Sequence, residues 1–483
     1  MTSAEARNSK VSTSGRRPLL AALLCVLCAG MPLFGSSVVE DSSYWLAIGV
    51  TTGLGALGAI VALRLFGFSW QSAPAVYLAF LWMFHFPMTL FIYLIPHLSE
   101  QLPRPLYGWT QQSDWYRASI YALLCTVAFA IGAGLASSYS RPGTTRATFE
   151  DLPKFQVGIV TAAAGLAWLY LQIYREGGLE LFGSGYAQMY GTVFGSGFSL
   201  AIFFVSVGSC IAFLSAPKGF AWLPLALQFA ASMPVLLTGA RQFALIGPLV
   251  LAVLSAKRGM RLGLIRAGIC CVLMLWVISY VGQTRGQGVV EGVPSTGQVS
   301  PISALVEMGG SLQTTSLSVD WIRNGDSFLL GGSYWLPFER GLGLLLPLRS
   351  DLATDPRAMN MVMVSRISGL GGSAVAESYY NFSVFGVLFF VALGFLLARL
   401  DDAARSPISA GVLGVVLYAF VFQARNWFLS VPNLIFLGLI PIAVCVCLDL
   451  LARRKAKAPG MGPDRESFLG GSDLLLGSGG SRS

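Results

Sequence analysis

GSAVAESYYNFSVFGVLFFVALGFLLARL, residues 372–400, decides how this chain is read. Its second half is an apolar run over 382–398, and a bilayer core about 30 Å thick takes about 20 mostly apolar residues per helical crossing. Immediately before that run stand a glutamate, two tyrosines, an asparagine and serines. On a continuous helix Ser373, Glu377 and Asn381 are spaced i, i+4, i+8 and share a face, with Tyr380 three residues from the glutamate. An ionisable group at the mouth of a membrane helix is costly, so such a stripe normally faces the protein interior or a water-filled cavity.

The rest of the chain has the same character. Of 483 residues 54% are hydrophobic and 11% charged, against roughly 25% charged in a soluble domain, and the mean hydropathy is +0.66. Apolar windows fall near 18–34, 44–63, 73–95, 116–136, 157–174, 198–214, 220–237, 243–256, 265–281, 382–398, 408–423 and 432–451, which predicts an all-α polytopic membrane protein with about 12 transmembrane helices. The predicted organisation is a disordered cytoplasmic N-terminus (1–17), nine helices (18–281), a large extracytoplasmic loop (282–381), three helices (382–451) and a disordered Gly/Ser-rich cytoplasmic tail (452–483). The twin arginines Arg16 and Arg17 resemble a signal-peptide start, but the windows that follow make them anchors of a retained first helix.

Basic residues set the orientation. Clusters before the first window, around Arg141 to Lys154, around Lys257 to Arg266 and after the last window place both termini in the cytoplasm, with 21 basic residues inside and 11 outside. The 11 are Arg104, Arg117, Arg175, Arg241, Arg285, Arg323, Arg340, Arg349, Arg357, Arg366 and Arg425, without a lysine among them. All six lysines fall inside. Arginine's planar fork matches two oxygens of a phosphate or carboxylate at once. The net charge of +9 is scattered among apolar runs, which argues against a nucleic-acid partner.

The loop over 282–381 holds Trp321, Trp335, Tyr334, Phe338 and GLGLLLPL at 341–348, a pattern for short interfacial helices. Two short outer turns, TGARQ (238–242) and QARNW (423–427), hold Arg241 and Arg425 near the headgroup plane, where a lipid-linked phosphate lies; the plainer alternative for each is snorkelling to headgroups. Partial burial prepares a carboxyl group such as Glu377 to accept a proton near neutral pH, and the plainer alternative pairs it with a nearby arginine. His85 reads as a satisfied core histidine, and His97 stands without a second His or Cys close in sequence. Asp320, Asp326, Asp351 and Asp355 form no D-x-D, so no metal site is indicated. The eight cysteines lie in apolar runs; Cys25 and Cys28 read as small packing residues rather than a redox pair. A Gly-rich stretch at 174–191 has the composition of a lid.

Three segments carry a family resemblance: GGSAVAESYYNFSVFGVLFFVALGFLLARLD (371–401), FLLGGSYWLPFERGLGLLLP (328–347) and TGARQFALIGPLVL (238–251). Their content, order and topology resemble the Wzy-type oligosaccharide repeat-unit polymerases. In place of the Pro-Arg pair expected in the large loop, this chain has Glu339 and Arg340, then Pro347 and Arg349. The related O-antigen ligases are expected to use a loop histidine, which 282–381 lacks. The resemblance implies a fold similar to the GT-C-like, polyprenyl-dependent membrane glycosyltransferases. It implies a metal-independent enzyme without a cofactor in the bacterial plasma membrane, joining polyprenyl-diphosphate-linked oligosaccharides into O-antigen, capsule or exopolysaccharide. Membrane lipids, a chain-length regulator and a flippase are the implied partners. Glu377 is the expected base and Arg241 the principal arginine at the leaving diphosphate; Arg340, Arg366, Arg425, Arg285, Asn381 and Tyr380 are expected to bind substrate. The alternative is a 12-helix transporter or flippase of lipid-linked oligosaccharides, which should instead concentrate polar groups near the bilayer midplane.

Overall fold

The computed structural model describes residues 16–38, 42–95, 109, 115–138, 150–178, 180, 196–237, 239–260, 263–284, 299–345, 355–367 and 370–457. Regular structure among them is helical. In chain order the helices are α1 (Arg16–Val38), α2 (Ser42–Leu65), α3 (Ala73–His85), α4 (Pro87–Leu94), α5 (Trp115–Ser138), α6 (Leu152–Arg175), α7 (Ser196–Ser215), α8 (Trp222–Leu237) and α9 (Arg241–Lys257). There follow α10 (Leu264–Thr284), α11 (Pro301–Met308), α12 (Ser311–Arg323), α13 (Gly332–Leu345), α14 (Met359–Arg366), α15 (Ala374–Phe382), α16 (Val387–Ala403), α17 (Pro407–Gln423) and α18 (Val431–Lys457). Only a helix pairs all its backbone groups within one segment, which is why apolar crossings take this form.

Each apolar window of the sequence falls on a helix. Seven described stretches are long and apolar enough to cross a bilayer: Ala47–Leu65, Trp115–Ser137, Leu152–Arg175, Gly197–Ser215, Ile265–Gln283, Ala374–Ala403 and Phe428–Arg454. Leu20–Gly30, Ala73–His85, Trp222–Leu237 and Pro407–Gln423 are shorter apolar helices. Two windows are interrupted. Pro87 has no N–H to continue α3, so the chain turns at Phe86 and restarts as α4. The helix expected over 373–398 stops at Ser383, whose φ of 53° is left-handed, and resumes through a 3₁₀ turn, Ser383–Gly386.

Small residues bring the helices together. α6 and α7 meet where Gly158, Ala162, Gly208 and Ala212 stack backbone on backbone, and α5 crosses α16 where Gly132 lies on the Val391 carbonyl and Gly394 on that of Phe129. Cys28 occupies a similar position, with its Sγ over Gly58.

The bundle has two chemically distinct ends. Lys257 bonds the Asp401 carboxylate at 3.0 Å, and Lys154 pairs with Asp151 and, at 2.7 Å, with Asp449. Near Lys257 a cleft of about 390 Å³ opens between Phe66, Ser72, Asp401 and Arg405. Arg241 lies at the other end of α9, about 24 Å away at 1.5 Å per residue. There α11 packs against α4 and α10, and α12 against α5 and α15, so these parts of the predicted large loop are integrated into the bundle. α12 buries Leu312, Thr314, Thr315 and Ser318.

Gly208→Val is expected to destabilise the protein by about 1–3 kcal/mol, since the added carbons meet backbone that cannot yield as a side-chain tip does. Gly268→Val, in open space on α10, is the control and should leave the thermal midpoint in detergent unchanged.

Candidate functional site

α15 begins where Ser373 accepts the Ala376 N–H and caps the helix. The extended segment before it is held from three sides. The Thr314 hydroxyl of α12 donates to the Gly371 carbonyl at 2.9 Å; Gly372 lies so close to Asn426 and Trp427 that a side chain would not fit; and His85 Nε2 is 2.8 Å from Ser373 Oγ. His85 Nδ1 lies 2.9 Å from the Leu81 carbonyl, which only accepts. Nδ1 therefore carries the proton, and in the neutral ring Nε2 accepts from the Ser373 hydroxyl. His85 is a fully buried structural link between α3 and α15, as the sequence reading expected.

One turn further along, Glu377 is 1% exposed. Its Oε1 accepts the Ser333 hydroxyl at 2.6 Å and its Oε2 the Phe428 backbone N–H at 2.7 Å. The Gln423 amide faces the same carboxyl group. Asn381, on the same face of α15, donates from Nδ2 to Ser333 Oγ and to the Glu377 carbonyl, each at 2.8 Å, while its Oδ1 accepts the Gly331 N–H at 3.0 Å. With both oxygens accepting, the cradle suits an ionised carboxylate, and the groups bonded to it are neutral.

Arg241, at the first turn of α9, is 5% exposed and makes a two-point bond to Glu307 of α11, at 2.9 and 3.2 Å. Gly282, near the end of α10, lies against the guanidinium. The next residue, Gln242, donates to the Phe422 carbonyl at 2.8 Å and accepts from Asn426 Nδ2 at 3.0 Å. The two short turns that carry Arg241 and Arg425 are thus hydrogen-bonded to each other. Arg425 sits 5.1 Å over the Phe84 ring, beside Gly371. Arg241, Arg425 and Glu377 therefore occupy one end of the bundle, joined through α17 and the Gln423–Phe428 turn.

The remaining candidates lie further out. Tyr380 points away from Glu377: its hydroxyl donates to Asp326 at 2.6 Å, as does Arg366, whose guanidinium lies 4.6 Å over the Trp321 ring. Arg340 is half-buried near Asp355, and the neighbouring Arg357 bridges Glu339 (2.6 Å) and Asp355 (2.7 Å). Asp326 and Asp355 are thereby engaged by arginines. Arg285, His97, Arg104, Pro347, Arg349, the stretch 181–191 of the expected lid, and the chain before 16 and after 457 lie outside the described residues.

Ser333, Gln423, Glu307, Gln242 and Asn426 were not singled out from the sequence. Gln242, Gln423 and Asn426 nevertheless stand inside the two turns that drew attention for their arginines. Polar amides beside a membrane helix carry the same burial penalty that marks an arginine.

The hydrogen bond from Arg366 holds the Asp326 carboxyl below the usual carboxylate range, and Arg357 does the same for Asp355. A depressed folded value gives stabilisation that is complete above the unfolded value, about 3.9, and is lost as pH falls through the folded one. The hydrogen-exchange protection factors of 320–326 and 355–366, corrected for the intrinsic pH dependence of amide exchange, should accordingly stay constant from pH 7 to about 5 and fall only below about 4. Asp326→Asn should raise exchange in 359–366 already at pH 7.

Compared with known proteins, residues 57–455 match the family model of the O-antigen polysaccharide polymerase Wzy. The chain is also 24% identical over 159 residues to Protein CapE of Staphylococcus aureus, a match that covers 32% of this chain and 35% of that protein. It spans about a third of the length of that relative. No solved structure matches. With the family model extending over most of an all-helical membrane chain, this protein belongs to the O-antigen polysaccharide polymerase Wzy family.

Proposed function

We propose that this chain polymerises polyprenyl-diphosphate-linked oligosaccharide repeat units into a bacterial surface polysaccharide, by glycosyl transfer at the outer face of the plasma membrane. The observation that carries the reading is the gathering of Glu377, Arg241 and Arg425 at one end of the bundle, roofed by α11–α15. A transporter of the same helix content would place such groups near the midplane.

An acceptor sugar hydroxyl attacks the anomeric carbon of the donor chain, the carbon–oxygen bond to the diphosphate breaks, and the hydroxyl proton passes to a base. Glu377 is that base. Its bond from Ser333 shows that the carboxyl group receives an alcohol O–H at 2.6 Å, the separation that general-base transfer requires. Asn381 orients it from the same helix face. The leaving lipid diphosphate gathers negative charge, which preorganised guanidinium groups stabilise. Arg241 is pre-aimed for that role by its two-point bond to Glu307, and Arg425, Arg340 and Arg366 supply positive charge along the same face. Arg285 is the further arginine assigned to substrate.

Purified protein in detergent, given repeat units on their polyprenyl diphosphate, should lengthen them without any membrane barrier; failure to do so under conditions where the protein stays folded would count against a polymerase. Glu377→Gln should insert normally yet lose about 10²–10⁴-fold in chain growth, read as collapse of the polysaccharide ladder. Arg241→Lys keeps the charge but loses the fork. A markedly shortened ladder is expected, and near-normal polymer would reduce Arg241 to an anchor for Glu307.

A further inference from the structure

Ser333 is the alcohol closest to the Glu377 carboxyl group, and its hydrogen bonds are those a sugar hydroxyl would make there. It donates to Glu377 Oε1 at 2.6 Å and accepts from Asn381 Nδ2 at 2.8 Å. A base that takes a proton from an alcohol needs this pairing of an acceptor for the proton with a donor that orients the oxygen. Beside it, Gln423 is fully buried with its amide facing the Glu377 carboxyl group, and neither amide atom makes a well-aligned hydrogen bond within the protein. An amide so placed is costly unless a ligand or water engages it. With one donor and one acceptor side it suits a second hydroxyl on the same sugar ring.

The segment that brings Ser333 into place is strained. Leu330 has a left-handed φ of 47° and is 80% exposed, and Gly331 follows at 86°. A left-handed leucine persists only where its surroundings enforce it, and such residues gather at switch segments. The restraints on the segment are hydrogen bonds to the end of α15: Leu329 N–H to the Tyr380 carbonyl, Leu330 N–H to that of Asn381, and Gly331 N–H to Asn381 Oδ1, at 3.0–3.2 Å. Tyr334, in the first turn of α13, seats on the rings of Phe382, Phe389 and Phe428.

We propose that Ser333 marks the acceptor-hydroxyl site of the enzyme and occupies it in a closed state. Segment 329–333 lifts off α15, a hydroxyl of the incoming saccharide takes the place of Ser333 Oγ between Glu377 and Asn381, and Gln423 binds its neighbour on the ring. Ser333 is an internal competitor displaced before reaction and Gln423 a positioning residue, and the inference rests on Glu377 being the base.

Two measurements test it, both with repeat units on polyprenyl diphosphate extracted from the producing cells. In the wild-type protein, hydrogen exchange at the amides of 329–331 should rise when the units are added; unchanged or slower exchange would mean that the segment does not lift, and would overturn the proposal. Ser333→Ala removes the internal competitor. With the growing chain held constant and the single repeat unit varied, its acceptor KM should fall about tenfold while kcat is retained, because the closed state no longer reduces the competent fraction. Ser333→Thr, which keeps a hydroxyl, should retain the wild-type KM. A lowered kcat without a fall in KM in Ser333→Ala would make Ser333 a structural brace and reject the idea. The base assignment is judged separately: Glu377→Gln with normal chain growth would discard Glu377 as base, whereas the exchange result reports only on movement of the segment.

Discussion

Everything at the polar end of this molecule depends on one constraint, a carboxyl group buried at the rim of an apolar bundle. Removing an ionised group from water costs several kcal/mol even after relaxation, and each hydrogen bond to it offsets about 1.5–3 kcal/mol. Glu377 meets that demand without a guanidinium among its hydrogen-bond partners. A hydroxyl from α13 and a backbone N–H after α17 bond to it, with the Gln423 amide facing the same carboxyl group. Satisfying one residue of α15 therefore ties it to parts of the chain 44 positions before it and 51 after it. The break at Ser383 separates this short helix from the membrane helix that follows, so Glu377 and Asn381 are oriented by their cradle and not by the direction of α16.

Charge is held at both ends of the bundle. At the end that holds Lys154 and Lys257, ammonium groups meet aspartates, and Arg64 and Arg258 lie over the Trp70 and Phe213 rings. At the other end arginines are held in shaped contacts: the two-point bond of Arg241 to Glu307, the Arg366 stack on Trp321, and the Arg357 fork over Glu339 and Asp355. A planar cation can be fixed in direction by a carboxylate or a ring, and an ammonium far less so.

Much of this was legible in the residue order. The apolar windows fall on helices, and seven described stretches are long and apolar enough to cross a bilayer, because apolar length is what specifies a membrane helix. Glu377 and Asn381 share a face because the helical period puts them there, and the two Gly/Ala-Arg turns lie at the same end of the bundle, hydrogen-bonded to each other. The interruptions were less visible. Pro87 signals a stop, but the left-handed turn at Ser383 follows from packing of the 3₁₀ segment against the Ser378 carbonyl and Tyr121 around Gly386, a contact between elements far apart in the chain. The partners were not legible at all: nothing near Arg241 in sequence announces Glu307, 66 positions on, and nothing near Glu377 announces Ser333 or Gln423.

By itself the sequence determined that the chain is a helical membrane protein and that a carboxyl-bearing helix leads into an apolar run. These follow from transfer energies and local periodicity, which each segment carries alone. Tertiary structure alone decided which alcohol sits on Glu377, which acid aims Arg241, and that Tyr380 turns away to Asp326. Pairings of that kind depend on how helices distant in the chain stack in space, and a hydrogen bond only a few ångströms long leaves no trace in the spacing of the residues that make it.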